Sequence, residues 1–284
     1  MNLKKFFKVI LVVLACFILS VLIQNISMLW HIKSIWSIEY IFHALTYILL
    51  SYILIKWFIE KILKSNLEVY RILPIRLSRL CFISGMVLIL TVDLIYIFLI
   101  PGKLVMTQYS SPVEYMEMFF SAFLITGVAA PILEEMIFRG ILMRYFEKQY
   151  GFLASIIVPS ILFSLVHVFN GELHGASLLL LLIGGTLAGI MYAVTAWTFN
   201  SVWASITLHM FWNINGLFNI TNQDDHWGMY QYILDTHNIL LTGGEYGIDT
   251  SLISIIGYLA IIFVMVNKNN KKIKSSIRNH LETF

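Results

Sequence analysis

The chain is 284 residues long, 59% hydrophobic and only 12% charged, with a formal net charge of +3. A water-soluble domain carries about 25% charged residues, so the composition excludes an ordinary soluble protein and points to one that crosses a membrane several times. The basic residues are spread along the chain rather than gathered into one patch, which argues against a nucleic-acid partner.

Stretches of about 20 apolar residues predict an all-α architecture of eight transmembrane helices around an intramembrane polar cavity. They lie near 5–24, 38–59, 80–100, 117–138, 152–169, 176–197, 201–220 and 249–267. The first, opened by Lys4, Lys5 and Lys8, resembles a secretory leader, but its apolar run continues through FILSVLI and reads as an uncleaved span. Helices 1–3 occupy residues 1–110 and helices 4–7 the segment 115–221. An outer loop, helix 8 and a basic tail fill 222–284, and the whole reads as one integral domain. Cys16 and Cys81 lie far apart in apolar stretches and read as buried free thiols. The glycines of LLIGGTLAGIMYA read as small-residue helix packing.

Charge orients these spans. With both termini cytoplasmic, Lys56, Lys61, Lys64, Arg71, Arg76 and Arg79 join the cytoplasmic side, as do Arg139, Arg144 and Lys148 and the tail's Lys268, Lys271, Lys272, Lys274 and Arg278. Only Lys33 and Lys103 of the 19 lysines and arginines then fall outside, as the positive-inside bias requires. The outer loop of 221–248 fits, with Asp224, Asp225, Asp235 and Glu245 but neither lysine nor arginine.

Ionisable side chains inside spans cost several kcal/mol unless paired or wetted, so each is a functional candidate. Glu39 and His43, one turn apart near the outer end of the second span, read as a wetted interfacial pair. Asp93, mid-span, either hydrogen-bonds a neighbouring helix or lines the cavity. The others cluster in the second half. Glu135 and Arg139 stand at i and i+4 and can pair, whereas Glu134 is rotated about 100° away and is left as the working carboxylate. Phe163 and His167, and His209 and Asn213, repeat the i, i+4 spacing on two further helices.

A carboxylate beside a histidine, shielded from bulk water, can deprotonate a water molecule. A second histidine and an asparagine amide can donate to the oxyanion that forms when that water attacks a peptide carbonyl. Two histidines and a glutamate can instead hold zinc and activate its bound water; spacing alone does not separate the two. For any single histidine an interhelical hydrogen bond is the plainer reading, but five ionisable groups plus Asn213 at helical spacing favour a site. No HExxH zinc helix, GxSG serine site or GxGD aspartyl pair occurs in the sequence.

EEMIFR (134–139), FSLVH (163–167) and HMFWN (209–213) resemble, in order and spacing, the EExxxR, FxxxH and HxxxN motifs of the CPBP family. These are the CAAX-protease and bacteriocin-processing proteins, also called Abi, related to the eukaryotic prenyl-protein endopeptidase. The resemblance implies an eight-helix, multi-pass intramembrane peptidase with a conical cavity. By position, Glu134 and His167 would activate water, Glu135 and Arg139 would support them, and His209 and Asn213 would form the oxyanion site. It implies no cofactor under a glutamate mechanism, and zinc on Glu134, His167 and His209 under a metallo mechanism. Membrane lipid and a peptide or prenylated protein would be its partners, in peptide or bacteriocin maturation or self-immunity. A non-proteolytic membrane scaffold is the alternative, and a proton-relay transporter a third reading without support from repeated halves.

Overall fold

The computed structural model describes residues 3–32, 36–223 and 226–269, with side chains from Phe7 onwards. The side chains of Lys4 and Lys5, and Lys33, Asp224, Asp225, Lys271, Lys272, Lys274 and Arg278, lie outside the described residues. Three apolar helices come first: α1 (Leu3–Met28), α2 (Ile38–Trp57) and α3 (Arg79–Leu99). Their outer faces carry side chains such as Leu11, Leu45 and Phe98, each more than half exposed, as lipid contact demands. α3 starts at Ser78, whose hydroxyl accepts from the Cys81 N–H. Cys16 and Cys81 are buried and free.

The next helical run is α4 (Pro112–Phe120), a π-helical stretch (Ser121–Ala129), α5 (Ala130–Glu135), a second π-helical stretch (Met136–Leu142) and α6 (Met143–His167). Ser111 caps it and Pro112 fills its first turn, where a missing N–H costs nothing. α7 (Gly175–Phe199) follows and stops at Asn200, whose φ of 50° is left-handed. α8 (Val202–Ile214), the short α9 (Ile239–Thr242) and α10 (Leu252–Lys268) complete the α-helices among the described residues.

Five of these helical runs are long and apolar enough to cross a membrane, and the chain is an integral multi-pass membrane protein. Five runs are not five crossings, because a run of 59 residues is longer than one crossing needs. The fourth and fifth predicted spans both lie within Pro112–Asn170, where two helices meet at Gly151, whose φ of 81° and ψ of −173° are non-helical. The cations expected on the cytoplasmic side between them sit on helix: Arg139 is 1% exposed and Arg144 binds Glu147 at 2.7 Å. The seventh span shrinks to the 13 residues of α8, and the eighth to the 17 of α10.

A second departure from the all-helical expectation is a small sheet. β1 (Gly102–Met106), β2 (Phe218–Thr221) and β3 (Tyr230–Leu234) stand in the order β1-β3-β2, antiparallel on one side and parallel on the other. The 63–78 connection, whose basic residues the charge rule places on the cytoplasmic side, is built into the fold. Arg71 is buried, binds Glu147 at 2.7 Å and Asn200 at 3.0 Å, and its carbonyl accepts from the Val202 N–H. The small-residue reading of α7 holds: a Cβ on Gly189 would fall 2.8 Å from the Ser160 Cβ, and one on Gly185 2.9 Å from the Ser164 Oγ. Glycine thus lets α6 and α7 approach closely enough to bring their polar groups together.

Candidate active site

Glu134 and Glu135 end α5, the six α-helical residues bracketed by the two π-helical stretches. Pro131 has no N–H to return to the preceding turn, and i→i+5 turns of this kind recur where a helix is re-aimed at a functional site. The two glutamates point to different surroundings. Glu135 is fully buried and its Oε1 accepts from Arg139 Nη1 at 2.9 Å and from His209 Nδ1 at 3.0 Å. Arg139 in turn donates from Nη2 to the Gly189 carbonyl at 3.1 Å, and its guanidinium lies 4.4 Å from the Phe163 ring and 5.2 Å from the Tyr192 ring. Two aromatic faces, a carbonyl and a carboxylate thus surround a cation that water does not reach.

Glu134 faces a cavity of about 630 Å³. His167, His209 and Asn213 line the same cavity, so the structure brings the predicted residues of three helices to one space. Glu134 Oε2 lies 3.9 Å from His167 Nε2 and 3.8 Å from His209 Nε2, and it is buried with no hydrogen-bond partner. The orientation of both imidazoles is fixed from behind. His167 Nδ1 lies 2.6 Å from the Phe163 carbonyl, and His209 Nδ1 meets the Glu135 carboxylate. Both partners can only accept, so both Nδ1 atoms carry the proton and both Nε2 atoms face Glu134. The Tyr192 ring stacks on His209 at 4.5 Å and 19°, which holds the imidazole plane. Phe163, the partner of His167 in sequence, therefore supplies a carbonyl to one histidine and a ring to Arg139.

Two imidazole nitrogens and a carboxylate are zinc-type donors, and each imidazole is anchored as a metal ligand would be. The two Nε2 atoms stand 3.8 and 3.9 Å from the carboxylate oxygen, wider than the about 3.4 Å between ligands about 2.1 Å from a tetrahedral zinc. Among the described residues no group of three or more His, Cys, Asp or Glu is drawn together closely enough to hold a metal.

Asn213 donates from Nδ2 to the Thr126 carbonyl at 2.9 Å, which leaves its second N–H for the cavity it lines. Asp93 is separate from this set: it accepts from Asn215 Nδ2 at 2.9 Å, tying α3 to the end of α8. The wetted pair expected of Glu39 and His43 is not what forms. Both are buried, and His43 Nδ1 meets His31 Nε2 at 2.8 Å while the ring lines the cavity beside Tyr47. The pairing crosses the connection between α1 and α2, which no helical spacing reports. The sequence reading also passed over Asp249, counted only as the start of the last span. It lines the cavity and accepts from Trp212 Nε1 at 3.1 Å, one turn beyond His209. A lone carboxylate at the lip of an apolar run, after GGEYGI, was the signal available.

Residues 116–215 match the family described as type II CAAX prenyl endopeptidase, Rce1-like. That segment contains all three motifs. No curated protein and no solved structure matches the chain.

Proposed function

Since residues 116–215 match the Rce1-like CAAX endopeptidase family, we propose that the chain belongs to it and hydrolyses a peptide bond in a membrane-associated or prenylated peptide with water activated by Glu134 and His167. The family implies a peptidase. The observation that carries the mechanism is the convergence of two back-anchored imidazoles on Glu134 Oε2 at 3.9 and 3.8 Å. A water molecule between them can donate one hydrogen bond to the carboxylate and one to His167 Nε2. It can then lose a proton to Glu134 as its oxygen attacks the carbonyl carbon. The oxyanion that results needs donors. His209, whose Nδ1–H is held by Glu135, offers Nε2–H in its imidazolium form, and Asn213 offers its second amide N–H. In that state Glu134 is neutral, and the charges of Arg139 and His209 balance those of Glu135 and the oxyanion. The proton on Glu134 then passes to the leaving amine, which restores the carboxylate.

Purified protein in micelles, given farnesylated and unmodified peptides, tests the reading. Glu134→Gln is expected to slow cleavage about 10²–10⁴-fold while the melting temperature stays within error. Undiminished cleavage by that variant removes Glu134 from the chemistry. A chelator is expected to leave the rate unchanged; a rate lost to chelation and restored by zinc assigns the water to a metal instead. No cleavage of any peptide, with the cellular phenotype surviving in Glu134→Gln, returns the chain to a scaffold role.

A further inference from the structure

The cavity that holds Glu134 and the cations of the chain occupy opposite ends of the helices. α1 lines the cavity near its end, through Gln24 and Met28, and α2 near its start, through His43 and Tyr47. α6 and α8 reach it with their last turns, at His167 and at His209 and Asn213. α7 contributes Leu181, Gly185, Ala188 and Tyr192, one face of the helix that stops seven residues short of Phe199. The loops 218–223 and 244–250 complete the wall.

Lysine and arginine gather at the other ends. Lys8 lies near the start of α1, Lys56 near the end of α2, Arg144 and Lys148 near the start of α6, and Lys268 ends α10. Arg71 and Arg76 stand in the connection that joins these ends, bound to Asn200 after α7 and to Ser201 before α8. Among the described residues no lysine or arginine lines the cavity. Lys103, on β1, is the exposed cation at the cavity's end, since β1 belongs to the sheet whose β2 forms part of the wall.

The cation-bearing end is closed by protein. Leu67, Tyr70 and Ile72 of the 63–78 connection are buried. Its carbonyls accept from both neighbouring helices: Val69 from Arg144 Nε at 3.1 Å, Arg71 from the Val202 N–H at 3.0 Å, and Ile72 from Trp203 Nε1 at 2.8 Å. A Cβ on Gly140 would stand 3.4 Å from the Ile72 side chain, so the connection packs directly on the stretch that carries the buried Arg139. At the opposite end the lining residues Gln24, Met28, Asn170, Gln223, Trp227 and Glu245 are exposed and mark the mouth. Hydrolysis draws its water through that mouth.

Lysine and arginine concentrate on the cytoplasmic side of a membrane protein. We propose that the cavity opens on the extracytoplasmic side, so that the substrate is a peptide segment already carried across the membrane or exposed at its outer leaflet. A translocation step then precedes the cut. The word substrate rests on the peptidase reading; the sidedness and its test do not.

The probe is a membrane-impermeant, thiol-specific methanethiosulfonate, applied to cells expressing the full chain, intact or permeabilised. The wild type sets the background, since Cys16 and Cys81 are buried. Ala130→Cys places a thiol on the cavity wall one turn before Glu134, Gln223→Cys one at the mouth, and Lys64→Cys one at the basic end. The first two are expected to be modified in intact cells to the extent reached after permeabilisation, and Lys64→Cys in permeabilised cells alone. Thr126→Cys, on the same wall, repeats the reading should Ala130→Cys fail to accumulate. Wall thiols that react only after permeabilisation, or not at all, overturn the proposal, and so does Lys64→Cys reacting in intact cells. Cleavage is read separately, with a water-soluble peptide given to intact cells and to inside-out vesicles of wild type and Glu134→Gln. Wall thiols open to the outside with no cleavage on either side uphold the sidedness and sink the catalytic reading. Cleavage that depends on Glu134 but occurs only in the inside-out vesicles sinks the sidedness and leaves the catalytic reading intact.

Discussion

Glu134 and Glu135 are neighbours on one short helix, yet the regions they enter are opposites. Around Glu135, Arg139, His209, the Gly189 carbonyl and the rings of Phe163 and Tyr192 form a dry cluster with every distance short. Around Glu134, the cavity side, the nearest histidine nitrogens stand 3.8 and 3.9 Å off; Oε2 has no partner, and neither has Oε2 of Glu135, but Glu135 is held through its Oε1 by Arg139 and His209. The first region spends its polarity on holding four helical segments together. The second keeps acceptors at a distance that admits a small molecule between them. A polar group inside a membrane protein is thus read by whether its partner is already in place, not by its burial alone.

The comparison breaks most visibly at Arg139. Removing one partner of a buried ion pair leaves an uncompensated charge, at a cost of about 3–5 kcal/mol. Arg139→Met is expected to lower stability by that amount, read as loss of monodisperse protein and of thermal transition in micelles. Glu135→Gln combined with Arg139→Met should recover a large part of it, because the stranded carboxylate is gone. Equal stability of Arg139→Met and wild type would place the cluster's cohesion elsewhere. The matching change on the other side, Glu134→Gln, is expected to cost activity and leave stability alone, and that contrast is the comparison in experimental form.

Asn213 sharpens the cavity side. One of its amide hydrogens is committed to the Thr126 carbonyl at 2.9 Å, so the side chain arrives already oriented. Removal of one preorganised oxyanion donor costs about 10²–10³ in turnover. Asn213→Ala is therefore expected to lower kcat by that factor with KM nearly unchanged, since the interaction forms only as the carbonyl becomes tetrahedral. A change confined to KM would make Asn213 a binding residue.

What the sequence told of these two regions depended on distance along the chain. Glutamate, arginine and histidine inside apolar runs stand out, and i, i+4 spacing on one helix forecasts the Glu135–Arg139 pair directly. Contacts between elements were out of reach. His43 meets His31 across a connection, Arg71 meets Glu147 from 76 residues away, and Asp249 reaches Trp212 from beyond the motif-bearing segment. The sheet escaped because its strands of 5, 4 and 5 residues are too short to show a period against an apolar background. That helix runs on past Arg139 and Arg144 escaped for a different reason: the charge rule places those cations on the cytoplasmic side without saying that they stay helical, and it is their pairs with Glu135 and Glu147 that go with it.

A third carboxylate, on the rim, completes the scale at its small end. Glu245 accepts from the His174 backbone N–H at 2.6 Å and pairs with the same ring at 3.2 Å, joining the loop that carries Asp249 to the start of α7. The backbone hydrogen bond holds its carboxyl below the ordinary glutamate range. The sign follows from the ionised form being the one favoured on folding. The tie is present above the unfolded glutamate's pKa and is lost as pH falls through the lower value of the folded state. Both side chains are well exposed, so screening keeps the effect on global stability small. The readout is therefore local. At neutral pH Glu245→Gln is expected to speed amide exchange at His174 relative to wild type, and the two should converge once the pH drops well below the glutamate range. Identical exchange at neutral pH would mean that the loop is held by the Ser177 hydroxyl, which accepts from the Glu245 N–H at 3.2 Å, rather than by the carboxylate. The order of effects, from Arg139 through Asn213 to Glu245, then follows how completely each group has exchanged water for protein.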